Sequence, residues 1–176
     1  MPLEILTIPC LTDNYAYIAH DGDTGETLVV DVPEAAPVMT ALAQRGWTLS
    51  HVFLTHHHAD HVDGLDLLLK THPAKVIGAA ADVHRLATLD LAVHEEDYIS
   101  IGSYRGEIMD VSGHTLGHIA LHFPEAKAAF TADSLMALGC GRLFEGSPQL
   151  MFESLTKLAA LPAQTWIYSG HEYTAS

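Results

Sequence analysis

Four histidines and one aspartate fall within seven residues, Thr55-His56-His57-His58-Ala59-Asp60-His61, of a chain that carries 13 histidines in all. Histidine is the commonest metal ligand among side chains. In an extended segment residues i and i+2 point the same way, so His56 and His58 can converge on one ion. A turn into a helix presents Asp60 and His61 differently, which suits a second ion. A zinc site takes three or four protein ligands, so this segment begins two sites and completes neither. His57 points away from its neighbours and reads as a structural residue behind the ligands.

The missing ligands must lie far off in sequence. Gly113-His114-Thr115, Thr131-Ala132-Asp133 and Gly170-His171-Glu172 each follow a stretch with strand character. His114 completes a triad with His56 and His58, and His171 completes one with Asp60 and His61. Asp133 can bridge the two, because a carboxylate offers two oxygens. Asp60 and Asp133 are therefore expected to serve catalysis as well as metal binding. Metal-bound imidazoles need a partner on their second nitrogen, and Asp31, at the end of another strand, is a candidate. His118, where a strand is expected to begin, reads as packing or a hydrogen bond. Cys10 and Cys140 read as packing residues, since no histidine base stands at a recognisable spacing.

The elements that would position these groups change period along the chain. Residues 4–8, 15–20 and 27–31 read as an antiparallel meander, broken by Thr12-Asp13-Asn14 and Asp21-Gly22-Asp23-Thr24-Gly25. Ala35, Val38, Met39 and Leu42 mark a helix face that Gly46 stops. A short buried strand at 51–54 leads into the histidine run. Val62, Leu65, Leu68 and Leu69 mark a second helix, ended near Pro73. A strand at 75–78 precedes a short helix around 80–87. Strands are expected at 98–101, 106–110, 118–122 and 128–131, and a last one at 165–169. Met151, Leu155, Leu158 and Ala159 mark a long helix before it. Strands interspersed with helices argue for α/β or α+β layers, with chemistry on loops after strands.

The chain has 176 residues, 48% of them hydrophobic, which suits one domain and excludes intrinsic disorder. Its 8 Lys and Arg against 22 Asp and Glu leave a net charge of −14. Such a surface repels phosphate backbones and acidic membranes, which argues against nucleic-acid and membrane partners. Two cysteines do not make a disulfide framework. No apolar run is long enough for a membrane span, and Met1-Pro2-Leu3-Glu4-Ile5 lacks the basic start of a signal peptide. A cytoplasmic location is the expectation.

The pattern His56-x-His58-x-Asp60-His61, followed by His114, Asp133 and His171, resembles the metallo-β-lactamase superfamily. Further segments are similar, within it, to glyoxalase II, the hydroxyacylglutathione hydrolases. These are Leu11-Thr12-Asp13-Asn14-Tyr15, Gly113-His114-Thr115-Leu116-Gly117-His118, Gly139-Cys140-Gly141-Arg142-Leu143-Phe144-Glu145-Gly146 and Gly170-His171-Glu172-Tyr173-Thr174. The resemblance implies an αββα sandwich, two mixed β-sheets flanked by helices. It implies hydrolysis of a glutathione thioester, S-lactoylglutathione to lactate and glutathione, by a hydroxide bridging two divalent ions. Zinc is the first expectation, with iron or manganese as alternatives. The partner is then a glutathione thioester or a related small thioester, with the oligomeric state left open. Arg142 stands where the family usually has a lysine for the glycine end of glutathione. Tyr173 matches a tyrosine, and Phe144 stands where a tyrosine is common, without its hydroxyl.

The sequence also departs from that family. Glyoxalase II continues past its Gly-His-Glu-Tyr-Thr motif into a helical domain that grips glutathione, whereas this sequence ends at Ser176, so a single catalytic domain is expected. Ala132 replaces the more usual glycine, at little cost unless its φ must be positive. Two other readings stay open. One is another enzyme of the fold, such as a mononuclear-iron glutathione persulfide dioxygenase. The other is a non-catalytic metal-binding module.

Overall fold

The computed structural model describes residues 2–174. Strands β1 (Glu4–Cys10), β2 (Asn14–His20) and β3 (Thr27–Val30) form the expected antiparallel meander. Helix α1 (Ala35–Arg45) follows and is closed by Gly46 at φ 65°. Strand β4 (His51–Leu54) leads into two short helices, α2 (Ala59–Val62) and α3 (Leu65–Thr71), and then β5 (Lys75–Ala79). The order continues with β6 (Leu91–Val93), β7 (Tyr98–Ile101), β8 (Tyr104–Asp110), β9 (Ile119–Phe123) and β10 (Ala128–Ala132). Helix α4 (Pro148–Ala159) and β11 (Trp166–Ser169) complete it.

Strands β1 to β6 lie side by side in one sheet, with β3 to β6 parallel. The second sheet runs β11-β10-β9-β8-β7 and is antiparallel except for β10 beside β11. Alternation along the strands explains how the sheets pack. Tyr17, Ala19, Leu28, Val30 and Phe53 of the first sheet join Ile108, Leu121, Phe123 and Phe130 of the second in one buried cluster. The intervening Ile18, Val29, Val52 and Leu54 face the other way, onto Val38 and Leu42 of α1 and Leu65 and Leu68 of α3. Behind the second sheet, Val111 and Ala120 pack on Leu158 of α4. Strands covered on both faces read as unbroken apolar runs, as Leu28-Val29-Val30 and Val52-Phe53-Leu54 do. The layers are helix, sheet, sheet, helix, which is the αββα arrangement that the motifs implied.

Three elements differ from the sequence expectation. The second helix is split at Asp63-Gly64, where the Gly64 N–H donates to the Val32 carbonyl at 2.9 Å. The helix expected around 80–87 is only a 3-10 turn at Ala80–Asp82, because Asp82 turns inward and is 1% exposed. Strand β6 carries no alternation, since only Val93 of its three residues is buried. Among the described residues no helix is long and apolar enough to cross a membrane.

Candidate metal centre

Every chemistry-bearing segment leaves the end of a strand. The histidine run follows β4, His114 follows β8, Asp133 follows β10 and His171 follows β11. An isolated pairing of Asn14 with His171, and a bond from Tyr15 N to the Gly170 carbonyl at 2.8 Å, tie the last loop to β2. The result is a cluster of imidazoles and carboxylates at one edge of the sandwich.

His56 Nε2 lies 3.2 Å from His58 Nδ1, which lies 3.0 Å from His114 Nε2. His61 Nε2 and His171 Nε2 are 3.3 Å apart, and Asp60 Oδ2 is 3.8 and 3.4 Å from them. Two nitrogens about 2.0–2.1 Å from one tetrahedral ion stand about 3.3 Å apart, so both groups have the spacing of a ligand set. Their ligand atoms all fall within 4.8 Å of one another in each triad. Asp133 joins the triads: Oδ2 is 3.4 Å from His114 Nε2 and 3.3 Å from His171 Nε2, and Oδ1 is 3.4 Å from His61 Nε2. Oδ1 is buried without a hydrogen-bond partner, as a carboxylate oxygen facing a cation site would be.

The hydrogen bonds behind the rings set their tautomers. His61 Nδ1 donates to Asp31 Oδ2 at 2.9 Å, His114 Nδ1 to the Arg142 carbonyl at 2.7 Å, and His171 Nδ1 to Asp13 Oδ1 at 3.0 Å. The Thr55 hydroxyl gives its one proton to Asp31 Oδ2 at 2.8 Å, so it accepts from His56 Nδ1 at 3.0 Å. A carbonyl or carboxylate can only accept, so each ring keeps its proton on Nδ1 and turns Nε2 toward the cluster. Asn14 Nδ2 holds Asp60 by its carbonyl at 2.9 Å and by Oδ2 at 3.0 Å. These donors fit divalent metal ions: neutral imidazoles, two carboxylates and acceptors behind them.

Electrostatics divide the two triads. Burial pushes His56 well below the ordinary histidine range, and His58 and His114 are lowered by the same cause. Burial also opposes charge on His61, but the Asp133 and Asp31 carboxylates facing it push it up to about 10. His171 is raised in the same way, with burial outweighed by Asp133. Asp133 itself is held well below the usual carboxylate range by His171 and His61, against the effect of burial. Proton and cation compete for the same Nε2, so these carboxylates mark where positive charge is wanted.

A cavity of about 940 Å³ opens over the cluster, and Arg142, Phe144, Tyr173, Met136 and Cys140 line it. Phe144 is 63% exposed, and its ring makes T-shaped contacts with His58 and His114, centroids 5.5 and 5.3 Å away. Tyr173 stacks on His171 at 4.8 Å. The structure thus brings all seven ligand candidates, Asp31 and the three substrate candidates to one place. His57 turns away to Asp82 Oδ2 at 3.1 Å. His118 makes no hydrogen bond with either ring nitrogen and packs flat on His56 at 4.6 Å, its pKa pushed down to about 3 by burial. Cys10 is buried and Cys140 exposed, both as free thiols.

Sequence reading missed the outer partners Asp13, in the turn before β2, and Asn14, the first residue of β2. The Leu11-Thr12-Asp13-Asn14-Tyr15 motif marked the segment, but turn residues of that type carry no ligand signal. Ala132 has φ 43°, so the missing glycine has a cost after all; Asp31 sits at φ 57° beside the same site. Strain of about 1–3 kcal/mol per such residue is held by the surrounding fold.

Comparison with known proteins agrees with this geometry. The family model described as the metallo-beta-lactamase superfamily matches residues 12–171. The chain is 60% identical to the hydroxyacylglutathione hydrolase of Roseobacter denitrificans over 176 residues, all of this chain and 69% of that protein. It is 63% identical to the same enzyme of Ruegeria pomeroyi over equal shares. Among solved structures it is similar to BLEG-1 B3 metallo-beta-lactamase, with TM-score 0.88, 23% identity and coverage of 96% of this chain and 92% of that one. It is also similar to ETHE1 from Myxococcus xanthus, with TM-score 0.86, 28% identity and coverage of 100% and 78%.

Proposed function

This chain belongs to the metallo-β-lactamase superfamily and, within it, to the hydroxyacylglutathione hydrolases, and we propose that it hydrolyses glutathione thioesters such as S-lactoylglutathione with two bound divalent ions. The observation that carries the reading is Asp133, whose two oxygens reach nitrogens of both triads. Asp60, His61 and His171 converging as a second set favours two ions over one. Relatives of about 60% identity over the whole chain bear the hydrolase name, whereas the lactamase likeness is one of fold.

Bound ions, zinc first, would supply a water of lowered pKa as nucleophile and a Lewis acid for the thioester carbonyl. The chain's own residues do the rest. Asp133 fixes the separation of the two ligand sets. Asp60, clamped by Asn14 and 44% exposed, stands at the cleft floor where it can accept a hydrogen bond from the attacking water and aim it. Arg142 offers the guanidinium that a glutathione carboxylate requires on a chain of net charge −14. Phe144 presents an apolar wall beside His58 and His114, and Tyr173 adds a hydroxyl above His171. An ordinary thiol has a pKa near about 8.5, so the thiolate leaves without a dedicated acid, and the site needs none.

The test is a panel of S-lactoylglutathione, a glutathione persulfide and a β-lactam, offered to the purified chain. Thioester hydrolysis far above the other two is expected, and preference for either of the others would overturn the reading. Arg142→Ala should raise KM for the glutathione thioester about tenfold and leave kcat nearly unchanged, since the loss is one charged hydrogen bond in both ground and transition states. The backbone carbonyl that holds His114 remains in that variant. Steady-state kinetics check it, and an unchanged KM would remove Arg142 from the substrate site.

A further inference from the structure

The two ligand sets share one support, Asp31, which holds His61 directly and His56 through the Thr55 hydroxyl; the rest of their scaffolds differ. Asp60, His61 and His171 are held from the end of β3 and from the start of β2 and the turn before it, by Asp31, Asn14 and Asp13. His58 and His114 lack such carboxylates. Their loops are joined instead by a chain of charges that the catalytic reading leaves without a task.

Asp82 is 1% exposed and stands at its centre. Its Oδ2 meets His57 Nδ1 at 3.1 Å, and its Oδ1 accepts from Arg85 Nε at 3.0 Å and from Arg85 Nη2. Arg85 reaches on to Glu145 through Nη1 to Oε1 and Nη2 to Oε2, the latter at 3.2 Å. Glu145 Oε2 accepts the Leu116 N–H at 2.8 Å, two residues past His114. A Cβ on Gly117 would come within 2.2 Å of the Asp82 carboxyl carbon, so only glycine lets that segment lie against Asp82. The 139–146 loop, which carries Glu145, also gives its Arg142 carbonyl to His114 Nδ1 and its Phe144 N–H to the His114 carbonyl at 3.2 Å.

One guanidinium therefore ties together the His57 turn, the His114 loop and the loop that presents Arg142 and Phe144. We infer that Arg85 is a positioning residue: bridging Asp82 and Glu145, it sets His58 and His114 for one of the two ions and leaves the Asp60, His61 and His171 set to its own supports. Planar, forked and permanently charged, arginine meets both carboxylates in a fixed geometry that lysine's point charge does not impose. Glu145 is held down to about 2 chiefly by Arg85, so the bridge stays ionised through the neutral range. Removing groups that orient metal ligands typically weakens an ion by about 10–100-fold.

The inference rests on the two-ion reading above, and its test does not require turnover. Metal-stripped parent, Arg85→Ala and Glu145→Gln are titrated with Co²⁺ alone and followed by calorimetry and visible absorption, with the melting midpoint of each stripped protein recorded. One binding step should weaken about 10–100-fold in Arg85→Ala and less in Glu145→Gln, while the other step keeps its affinity. Guanidinium ion, far below denaturing concentration, should restore the weakened step in Arg85→Ala. Unchanged steps in both variants would overturn the inference. So would two steps that fall together with the melting midpoint and do not recover, which is the mark of a merely structural pair. If the parent binds Co²⁺ in two steps yet hydrolyses no thioester, the functional reading fails while the positioning role is still decided.

Discussion

Asp133→Asn is expected to lose about three orders of magnitude in thioester hydrolysis and to bind fewer than two ions per chain. Asparagine keeps the volume of the side chain, so the sandwich should fold. What changes is charge at the one residue that spans both triads, 3.3–3.4 Å from His61, His114 and His171. The carboxylate is also the group that holds His61 and His171 above the ordinary histidine range. An amide nitrogen facing an imidazole Nε2 contributes no ligand, and an amide oxygen contributes a neutral one. Loss of about 4 kcal/mol of transition-state stabilisation corresponds to about a thousandfold in rate. Metal analysis and steady-state kinetics on the same preparation check both halves. Near-parent turnover with two ions bound would remove Asp133 from its bridging place.

The second large effect concerns stability. Asp31 is 2% exposed and accepts three hydrogen bonds, from Thr55 N at 2.9 Å, Thr55 Oγ1 at 2.8 Å and His61 Nδ1 at 2.9 Å. Asp31→Ala leaves those buried donors unpaired and puts alanine at φ 57°, which aspartate tolerates better. The cost should be about 3–5 kcal/mol, or a melting midpoint lower by about 10 °C for a chain of this size. Asp31→Asn keeps an acceptor and the turn, so it should fold better and show the loss at the metal instead, about 10–100-fold in affinity at the His61 set. Melting of the stripped proteins and metal titration separate the two effects. An alanine variant that melts within about 2 °C of the parent would mean that Asp31 holds neither the loop nor the ring.

The parts of this molecule legible in the sequence were those where residue type and period agree. The histidine run is legible because four imidazoles and a carboxylate in seven residues have no use in a core. The α1 face Ala35, Val38 and Leu42 ends where Gly46 adopts its left-handed turn. Residues on the supporting side of the site are silent in sequence. Asp13, Asn14, Asp82 and Glu145 are ordinary turn and surface types, and only the fold brings Asp13 to His171 and Glu145 to Arg85 across 158 and 60 positions. The false helix around 80–87 arose from an alanine-rich stretch whose propensity yields to burial of Asp82, a tertiary demand that local pattern does not contain. The split between α2 and α3 has the same origin, since Val32 takes the Gly64 N–H from another element.

The most direct test of a two-ion thioester hydrolase is a titration of the metal-stripped chain with Zn²⁺, measuring ions bound and S-lactoylglutathione hydrolysis in each sample. Turnover should rise as occupancy approaches two ions per chain, and a chelator should abolish it reversibly. Full activity with one ion, or none with two firmly bound, would contradict it.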